Sequence, residues 1–593
     1  MSNVWLALTA IDELWKTDSE VVFLGPWCIT QYNKQILENL SYSILDEKKW
    51  FIDWEKSNKY FLDFYEKCFD ALCMNLNEIH GENHLYTYWK KAFLPWMKTW
   101  FHNLLFDYYS LEIAIKKFPG CKIMTYDTGE EVNWRLFELD KFDVEEQYKY
   151  DLFHLCIYNV ILDFLKKRKD LFFEIVYLDN PYKLKNVNIN ADNAGGSSIK
   201  KYILKKFFAK ADICMEYLYV ENVKKFWISH RGKVAPVPNF YYSKSKNTDL
   251  RKKIIIQRDI NNTFFDFVLH RFWIDLPVEF LEGYKTIQDQ VNAYFTHIPR
   301  YIMSSNTMVS AMLWEKGAKT VGMTHNVLYG LLNSFQGLVP CSTEEFDIYY
   351  VWGKNQYNNT RICPTFKFAP PKETSYPKDK IYWFFSGNEE NRYLSVFDIM
   401  TGMDKTINHV ESSIKEYINF CKNLQVETAD MIYYRMRDPW GFGMEKIIHH
   451  ANALLKKDEN IGETPAQLFG GLISEKLYSS KMIICNSFYT AVLYEALVRN
   501  VPVIIIRPEF TEHELNCFWE DIPQYFSKLK KLGIWFTDGK QAALFLNKHL
   551  NDIELWWNEP QRQVVISAFT ERVCMKTENA GKWWKNELFE LMN

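Results

Sequence analysis

The stretch Lys481–Arg507, KMIICNSFYTAVLYEALVRNVPVIIIR, contains a complete strand, helix and strand pattern. Its apolar run Met482–Cys485 predicts a short buried strand, and Asn486–Ser487 supplies side chains that can cap a following helix. Apolar residues then recur at a helical spacing as far as Asn500, a residue suited to a helix C-terminus. The run Val501–Ile506 has the β-branched composition of a parallel strand buried on both faces. The pattern therefore predicts a right-handed βαβ unit.

The start of this predicted helix is a candidate anion site. A helix N-terminus offers free backbone N–H groups and a partial positive charge, both of which favour a phosphate. Asn486, Ser487 and Thr490 add polar side chains there, and ligands of open α/β sheets bind at the carboxyl ends of strands. Glu495 lies one to two turns further on, where its carboxylate could meet a sugar hydroxyl or a ribose. A capped core helix with an incidental Glu495 fits the same spacing.

The composition is that of a large folded protein. The 593 residues exceed what one core usually holds, so two large domains are expected. Hydrophobic residues make up 48% of the chain and aromatic residues 17%, which predicts well-filled cores. A net charge of −3 gives no sign of a general nucleic-acid binder. Twelve cysteines without a CxxC motif favour neither a zinc site nor a disulfide framework, and they suggest a reducing cytoplasm.

The N-terminal segment is not predicted to be a signal peptide. It lacks a basic region before its apolar residues and becomes acidic at Asp12. No apolar run in the chain approaches the roughly 18 residues that would suggest a membrane span. The sequence therefore predicts a protein that is soluble or at most peripheral to a membrane.

Two segments of the first domain carry candidate cleft residues. Gly25 directly follows the predicted strand Glu20–Leu24, and a glycine there lets a ligand or a neighbouring backbone come close. Gly25 and Trp27 are therefore predicted to line a cleft, with a simple tight turn under a packed Trp27 as the alternative.

The second segment is helical and unusually aromatic, from Trp50 to Lys117. Asn77, His80 and Trp89 cluster around its break at Gly81, so they are candidate contacts for an acceptor, and His80 is a candidate base. The aromatic residues also suit a helix lying on a membrane surface, but core packing explains them better.

A second βαβ pattern occurs around residues 300–327, where YIMSSN and KTVGMTHN read as strand ends separated by the helix Thr307–Lys316. His325 comes just after the second of these strands. An imidazole at the carboxyl end of a strand could act as a general base or bind the donor, so His325 is the first candidate for the catalytic residue.

The second domain is predicted to begin after a proline-containing linker, residues 367–380. A later strand, within MIYYRMRDPWGFG, delivers Arg435 and Arg437 to its carboxyl end. Alternation along a strand puts both side chains on one face. Two guanidinium groups there suit bidentate binding of a phosphate or carboxylate, so both arginines are predicted to bind the donor.

Two resemblances to known families follow from these motifs. Ser487, Thr490, the tripeptide Glu495–Leu497 and the tripeptide Pro502–Ile504 resemble the donor-site helix of GT-B glycosyltransferases, which grips the nucleotide-sugar. The segments FLGPWC, LNEIHG, GMTHNVLYG and GIWFTDGKQAA resemble a family of transferases from bacterial O-antigen and surface-polysaccharide gene clusters. This second similarity spans nearly the whole chain and is strongest at its two ends.

The chain departs from both patterns at identifiable positions. The family segment around His325 usually reads glutamine-His-Gly-Gly, and here Asn326 and Val327 replace the two glycines. GT-B enzymes that use nucleotide-activated acidic sugars place a His-Pro pair near the second arginine, where this chain has Asp438–Pro439. Without these glycines, the His325 loop is not expected to surround a phosphate closely. The histidine of the family segment is present as His325.

The resemblance implies an α/β, GT-B-like fold in which two Rossmann-like domains face each other across a cleft, with a helical, aromatic-rich N-terminal insertion. The expected organisation has four parts. These are an acceptor-side domain with helical insertions (1–366), a linker (367–380), a nucleotide-sugar-binding domain (381–555) and C-terminal helices that pack back on the first domain (556–593).

The implied activity is transfer of a sugar from a nucleotide-activated donor to a bacterial surface glycan such as O-antigen or capsule, free or lipid-linked. No cofactor, metal ion or nucleic acid is expected, because the nucleotide-sugar is a co-substrate and a GT-B site needs no DxD-bound metal. The expected location is the cytoplasm, with or without peripheral contact with the cytoplasmic face of the inner membrane. A nucleotide-sugar 2-epimerase of the same fold and a non-catalytic sugar-binding protein are the alternatives.

Replacing His325 with Ala tests its predicted role. Loss of a general base should lower kcat by roughly 10² to 10⁴ while the fold stays intact. If His325 only positions the donor, KM should rise and kcat should change little. Steady-state kinetics separate the two cases. Wild-type values of both parameters would show that His325 has no role, and His80 would then be the next residue to replace.

Overall fold

The computed structural model of the chain describes residues 4–30, 33–45, 54–128, 149–181, 211–215, 233–238, 240–242, 245–254, 263–304, 306–324, 327–333, 346–355, 358–364, 378–385, 407–436, 444–457, 477, 480–577 and 580–593. Three parallel sheets occur within these ranges. The α/β class expected from the sequence is therefore confirmed.

The first sheet has the strand order β3-β2-β1-β4-β5, and its strands are all parallel. Its strands are β1 (Val4–Ala7), β2 (Glu20–Phe23), β3 (Tyr42–Ile44), β4 (Cys121–Tyr126) and β5 (Phe173–Leu178). The apolar run of β2 is fully buried after its first residue, as expected for a parallel strand covered on both faces.

The second sheet has the order β11-β10-β9-β8-β6-β7 and is also parallel. Its strands are β6 (Ile213–Met215), β7 (Val234–Pro236), β8 (Tyr301–Met303), β9 (Lys319–Met323), β10 (Ile348–Val351) and β11 (Thr360–Ile362). The strands β8 and β9 are those that YIMSSN and KTVGMTHN predict. The order reverses between β6 and β8, as in doubly wound sheets of the flavodoxin type.

The third sheet has the order β14-β13-β12-β15-β16-β17, again parallel. Its strands are β12 (Lys380–Phe385), β13 (Ile432–Met436), β14 (Lys456–Lys457), β15 (Ser480–Cys485), β16 (Val503–Ile506) and β17 (Trp535–Phe536). Counted from β12, the strand order is 3-2-1-4-5-6, which is that of the Rossmann fold. The order therefore reverses between β12 and β15.

Helices connect and cover these strands. Up to residue 165 they are α1 (Lys34–Leu37), α2 (Trp54–His80), α3 (Tyr86–Lys117) and α4 (Lys149–Leu165). Around the second sheet they are α5 (Thr248–Arg251), α6 (Thr263–Asp275), α7 (Tyr284–Tyr294), α8 (Thr307–Glu315) and α9 (Leu328–Leu331). The rest are α10 (Ile407–Asn423), α11 (Val426–Ala429), α12 (Met444–Leu454), α13 (Ala491–Val498), α14 (Glu512–Asn516), α15 (Ile522–Lys531), α16 (Gly539–His549), α17 (Ile553–Trp557), α18 (Pro560–Val573) and α19 (Ala580–Met592).

The second sheet was not anticipated as a separate unit. The sequence suggests one Rossmann-like domain before residue 366, but two parallel sheets lie there in the described residues. The strands β6 and β7 have three residues each and lie in a lysine-rich section without hydrophobic periodicity. Such short strands gain their stability from neighbours in the sheet, which a local pattern does not reveal. The predicted domain limits stay a prediction.

The aromatic N-terminal helices form a core. Trp89 and Trp100 of α3 are fully buried, and the neighbouring Lys91 and Lys98 are also buried. The ring of Trp96 stacks on that of Trp100 with centroids 5.2 Å apart. Core packing therefore accounts for these residues better than contact with a membrane surface. Across the described ranges, no helix has the length and apolarity needed to cross a membrane.

The C-terminal helix returns to the second sheet. Glu587 of α19 accepts hydrogen bonds from the Tyr350 hydroxyl of β10 at 2.5 Å and from Arg361 of β11 at 2.7 Å. The indole N–H of Trp584 donates to the carbonyl of Pro364 at 2.9 Å. The end of the chain therefore packs against strands that precede it by more than 200 positions.

Replacing Gly353 with Ala should destabilise the contact between the segment after β10 and the end of α18. A Cβ there would lie 2.3 Å from the carbonyl oxygen of Val573, at the end of α18. Forcing such an overlap costs about 1–3 kcal/mol, so the melting temperature should fall. The matched control is Val564→Ala on α18, where the side chain is 70% exposed and the change should stay within about 0.5 kcal/mol. Equal melting temperatures for both variants in calorimetry would contradict the predicted close contact.

Candidate functional site

The strand order of the third sheet reverses between β12 and β15. The candidate site lies at the carboxyl ends of these two strands. Asn486 and Ser487 follow β15 and are largely buried. The Ser487 hydroxyl oxygen accepts a hydrogen bond from the Tyr489 backbone N–H at 3.0 Å, which forms a tight turn. Helix α13 then begins, with Thr490 as its N-cap residue. The sequence prediction for the βαβ unit is confirmed to within a few residues at each end.

Within the described part of the chain, no side chain caps the N-terminus of α13. Thr490 has the extended backbone of an N-cap residue, but its hydroxyl makes no capping hydrogen bond. The helix that follows β16 has a complete capping box formed by Thr511 and Glu514. The helix that follows β17 is capped by Asp538, which accepts from the Gln541 N–H at 3.0 Å. The first turn of α13 thus keeps its backbone donors for another acceptor.

The other end of α13 is fully terminated. Asn500 has a φ of 54°, the left-handed conformation predicted for a residue just beyond a helix. Its N–H donates to the Leu497 carbonyl at 3.1 Å, and the N–H of Val501 donates to the Ala496 carbonyl at 2.9 Å. The indole N–H of Trp557 donates to the Asn500 side-chain oxygen at 2.8 Å. This Schellman arrangement fixes the helix from its C-terminus.

Glu495 does not stand free at the cleft. Its carboxylate lies 2.7 Å from the Arg499 guanidinium one turn along α13, and both side chains are less than a tenth exposed. This placement matches the core-helix alternative and does not support the predicted contact with a sugar or ribose. The signal was present in the sequence, since a Glu four residues before an Arg on a helix favours such a pair.

An aromatic cluster closes the carboxyl end of β16. It is built around Phe510, whose ring centroid lies 5.0 Å from that of Phe518 and 4.8 Å from that of Phe526. Arg507 lies over the Phe510 ring at 3.8 Å and pairs with the fully buried Glu514. Sequence reasoning missed this cluster, although the Thr-x-x-Glu pattern before α14 signals the capping box beside it. Because the aromatic cluster fills the carboxyl end of β16, a ligand at this edge of the third sheet is expected nearer β12 and β15.

Neither predicted donor arginine has a described side chain. The backbone of Arg435 lies in β13 and pairs with Phe384 of β12. Its strand position is thus next to the strand at the reversal point. Arg437 lies outside the described residues, so binding of a phosphate by this pair stays a prediction.

His325 also lies outside the described residues, but the segments on both sides of it are placed. Thr324 donates its N–H to the Tyr350 carbonyl at 2.9 Å. Further along the chain, the segments Tyr329–Asn333 and Cys517–Trp519 contact each other. We call this contact the junction. The Trp519 N–H donates to the Leu331 carbonyl at 3.0 Å, and its indole N–H donates to the Tyr329 carbonyl at 3.1 Å. The segment after β9 is thereby bonded to the part of the chain that follows β16.

Gly25 and Trp27 form a packed turn. Trp27 lies in a short 3-10 helix, Pro26–Cys28, and is buried. Its indole N–H donates to the Leu8 carbonyl at 3.0 Å. A Cβ at Gly25 would lie 2.3 Å from the Trp27 ring, so the glycine makes room for the indole. The alternative of a tight turn under a packed Trp27 describes these residues, and the cleft-lining role stays a prediction.

Asn77, His80 and Trp89 belong to a polar and aromatic contact between helices. The Trp89 indole N–H donates to the Asn77 side-chain oxygen at 2.9 Å. His80 Nε2 donates to the Phe280 carbonyl at 2.9 Å, and its ring stacks on Tyr284 with centroids 3.9 Å apart. Burial lowers the pKa of His80 from its ordinary value.

This group lies near the start of β9. Its neighbour His84 contacts Glu315, at 2.6 Å, and Glu315 is the last residue of α8 just before the start of β9. The contact of Asn77 and Trp89 with an acceptor stays a prediction. The catalytic role of His80 also stays a prediction, and its ring joins α2 to the segment before α7.

A family model described as "LIC12162 family transferase" matches residues 4–588. Among solved structures, a spinosyn rhamnosyltransferase (SpnG, complexed with spinosyn aglycone) is similar at 8% identity and a TM-score of 0.21, over 73% of this chain and 90% of that chain. A trehalose-6-phosphate synthase (OtsA) is similar at 11% identity and a TM-score of 0.28, over 82% and 94%. At these TM-scores the similarities carry no inference about the site. No protein of curated function matches the sequence.

Replacing Glu495 with Gln separates the two roles considered for it. Removing one partner of a buried ion pair costs about 3–5 kcal/mol, so thermal stability should fall while nucleotide affinity stays unchanged. Calorimetry of unfolding and of nucleotide binding measures both quantities. The matched control is Glu554→Gln, in an exposed pair with Lys378 at 3.5 Å, which should cost at most about 1 kcal/mol. Weaker nucleotide binding at unchanged stability would restore the sugar-binding role.

Proposed function

The chain belongs to the LIC12162 family of transferases, and we propose that it transfers a glycosyl group from a nucleotide-sugar donor to a glycan acceptor. One observation carries this proposal: the uncapped N-terminus of α13 lies at the reversal point of a sheet with Rossmann strand order. Sheets of this kind bind nucleotides in the crevice outside the carboxyl ends of the strands at that point. The proposed fold for the reaction is of the GT-B type.

The donor phosphates are proposed to lie at the first turn of α13. Its backbone N–H groups and the positive end of the helix dipole favour an anion. The Ser487 hydroxyl oxygen already accepts from Tyr489, so its proton remains for a phosphate oxygen. The Thr490 hydroxyl makes no capping bond and can donate in the same way. Arg435 and Arg437 are proposed to add guanidinium groups from β13.

These groups account for departure of the nucleotide. Cleavage of the sugar–phosphate bond leaves charge on the phosphate oxygens, and preorganised donors stabilise that charge without reorganising during the reaction. We therefore propose a transfer that needs no cofactor and no metal ion. The nucleotide-sugar serves as co-substrate.

The acceptor is proposed to enter from the second sheet. His325 belongs to the segment between β9 and α9, whose described ends contact β10 and the junction. An imidazole there could remove the proton of the acceptor hydroxyl as the new bond forms. The resemblance to O-antigen and surface-polysaccharide transferases supports a bacterial surface glycan, free or lipid-linked, as acceptor. It also supports a cytoplasmic site, with or without contact with the inner membrane.

A two-stage experiment tests the function. A thermal-shift screen across CMP-, UDP-, GDP- and dTDP-sugars identifies the donor, because a ligand that binds only the folded state raises its melting temperature. Products are then analysed with the donor alone and with added glycan. Acceptor-dependent release of the nucleotide supports the proposal. Conversion of the donor sugar without acceptor would indicate a 2-epimerase, and binding without turnover would indicate a sugar-binding protein.

Removing the two hydroxyl groups tests the phosphate site. A hydrogen bond to a charged group contributes about 1.5–3 kcal/mol, so Ser487→Ala and Thr490→Ala should each weaken nucleotide affinity about tenfold or more. Isothermal titration with the donor found in the screen measures the change. Ser527→Ala is the matched control, because that exposed hydroxyl donates to the Pro523 carbonyl of its own helix. Wild-type affinity in a folded double variant would rule out this phosphate site.

A further inference from the structure

One arginine near the end of α18 contacts three separate segments of the chain. The Arg572 Nε and Nη2 groups donate to the two carboxylate oxygens of Asp521 at 2.5 and 2.8 Å. Its Nη1 group donates to the carbonyl of Gly330 at 3.0 Å and to that of Lys354 at 2.5 Å. All three guanidinium nitrogens thus donate hydrogen bonds in the plane of the group, which fixes its orientation.

The three segments lie beside two different sheets. Gly330 lies in α9, which follows β9, and Lys354 comes shortly after β10, so both are at the carboxyl edge of the second sheet. Asp521 comes directly after the junction segment that contains Trp519, in the part of the chain that covers the third sheet. The Arg572 side chain therefore adds to the junction bonds a link between the carboxyl edge of the second sheet and the segment that covers the third.

The backbone of Arg572 is itself fixed. Its carbonyl accepts from the Lys354 N–H at 3.0 Å, and the N–H of Met575 donates to the Trp352 carbonyl at 2.5 Å. A Cβ on Gly330 would lie 3.0 Å from the carbonyl oxygen of Val573, so the two backbones are in close contact. The backbone that carries the guanidinium is thus held in place. Its hydrogen bonds fix one geometry, unlike those of a flexible ion pair on the surface.

The geometry points to Arg572 as a positioning residue for glycosyl transfer, a role that rests on the proposed function. The donor edge belongs to the third sheet and the acceptor-side edge to the second sheet, so transfer requires that the two edges keep one separation. A displacement of about 1 Å far from the chemistry can lower a rate about a hundredfold. Arg572 acts through Asp521 and the two carbonyl groups that it holds.

A lysine is a poor substitute at this position. Its ammonium group is a point charge without the planar fork that reaches a carboxylate and two carbonyls together. Arg572→Lys therefore keeps the charge and tests the geometry, whereas Arg572→Ala removes both. Arg572 borders a cavity of about 280 Å³ that Lys354, Asn355, Glu520 and Asp521 also line. That space gives a small guanidinium ion access to the vacated site in Arg572→Ala.

Kinetics provide the first test. We expect kcat to fall about tenfold to a hundredfold in both variants, while donor affinity stays at the wild-type value. Millimolar guanidinium should restore part of the activity of Arg572→Ala, and ethylammonium should not. Glu571→Gln is the matched control, since that exposed side chain accepts from Ser567 on its own helix and has no other bond to the described residues. A loss of donor affinity as large as the loss of kcat would overturn the inference.

Hydrogen exchange provides a second test that needs no substrate. Residues 327–333 and 517–521 should exchange faster in Arg572→Ala than in the wild-type protein. Unchanged exchange would overturn the positioning role even if activity falls. If the wild-type protein turns over no nucleotide-sugar, the proposed function fails, while the exchange experiment still decides whether Arg572 holds the two segments. Arg572→Lys serves for both measurements if the alanine variant does not fold.

Discussion

A parallel sheet must be covered on both faces, and this constraint organises the molecule. The strand β16 and the run Met482–Cys485 of β15 are apolar and buried, so helices have to cover them on both sides. Strands are added first on one side of β12 and then on the other. In sheets that reverse in this way, ligands bind outside the carboxyl ends of the strands at the reversal point. The candidate site follows from the topology before any side chain is considered.

The two ends of α13 differ in how their backbone groups are bonded. At its C-terminus, the N–H groups of Asn500 and Val501 bond to carbonyl groups of the last turn, and Trp557 bonds to Asn500. At its N-terminus, Thr490 leaves the first turn without a cap. An unsatisfied helix end costs free energy unless water or a ligand supplies the acceptor. The helices after β16 and β17 are capped by their own side chains, which shows that this sheet does not lack capping residues.

Local patterns predicted the parts of the fold that are themselves local. The unit β15–α13–β16 was readable because its strands are continuous apolar runs and its helix ends at Asn500. The second sheet was not, because β6 and β7 are short and acquire their pairing from distant strands. Side-chain contacts could not be predicted where the partner is remote in sequence or competes with a ligand. His80 bonds to Phe280, two hundred positions away, and Glu495 finds Arg499 on its own helix before any ligand.

Polar contacts rather than apolar area alone determine where the chain end docks. Glu587 is buried between α19 and the second sheet, and a buried carboxylate is costly unless hydrogen bonds satisfy it. Tyr350 and Arg361 supply those bonds, and burial beside Glu587 raises the pKa of the Tyr350 hydroxyl above its ordinary value. Tyr350 therefore stays protonated and keeps donating. A shifted register of α19 would leave the carboxylate without these donors, so the buried pair selects one docking position. Because Tyr350 also accepts from Thr324 through its backbone, the same strand residue connects the chain end to the segment that carries the candidate base.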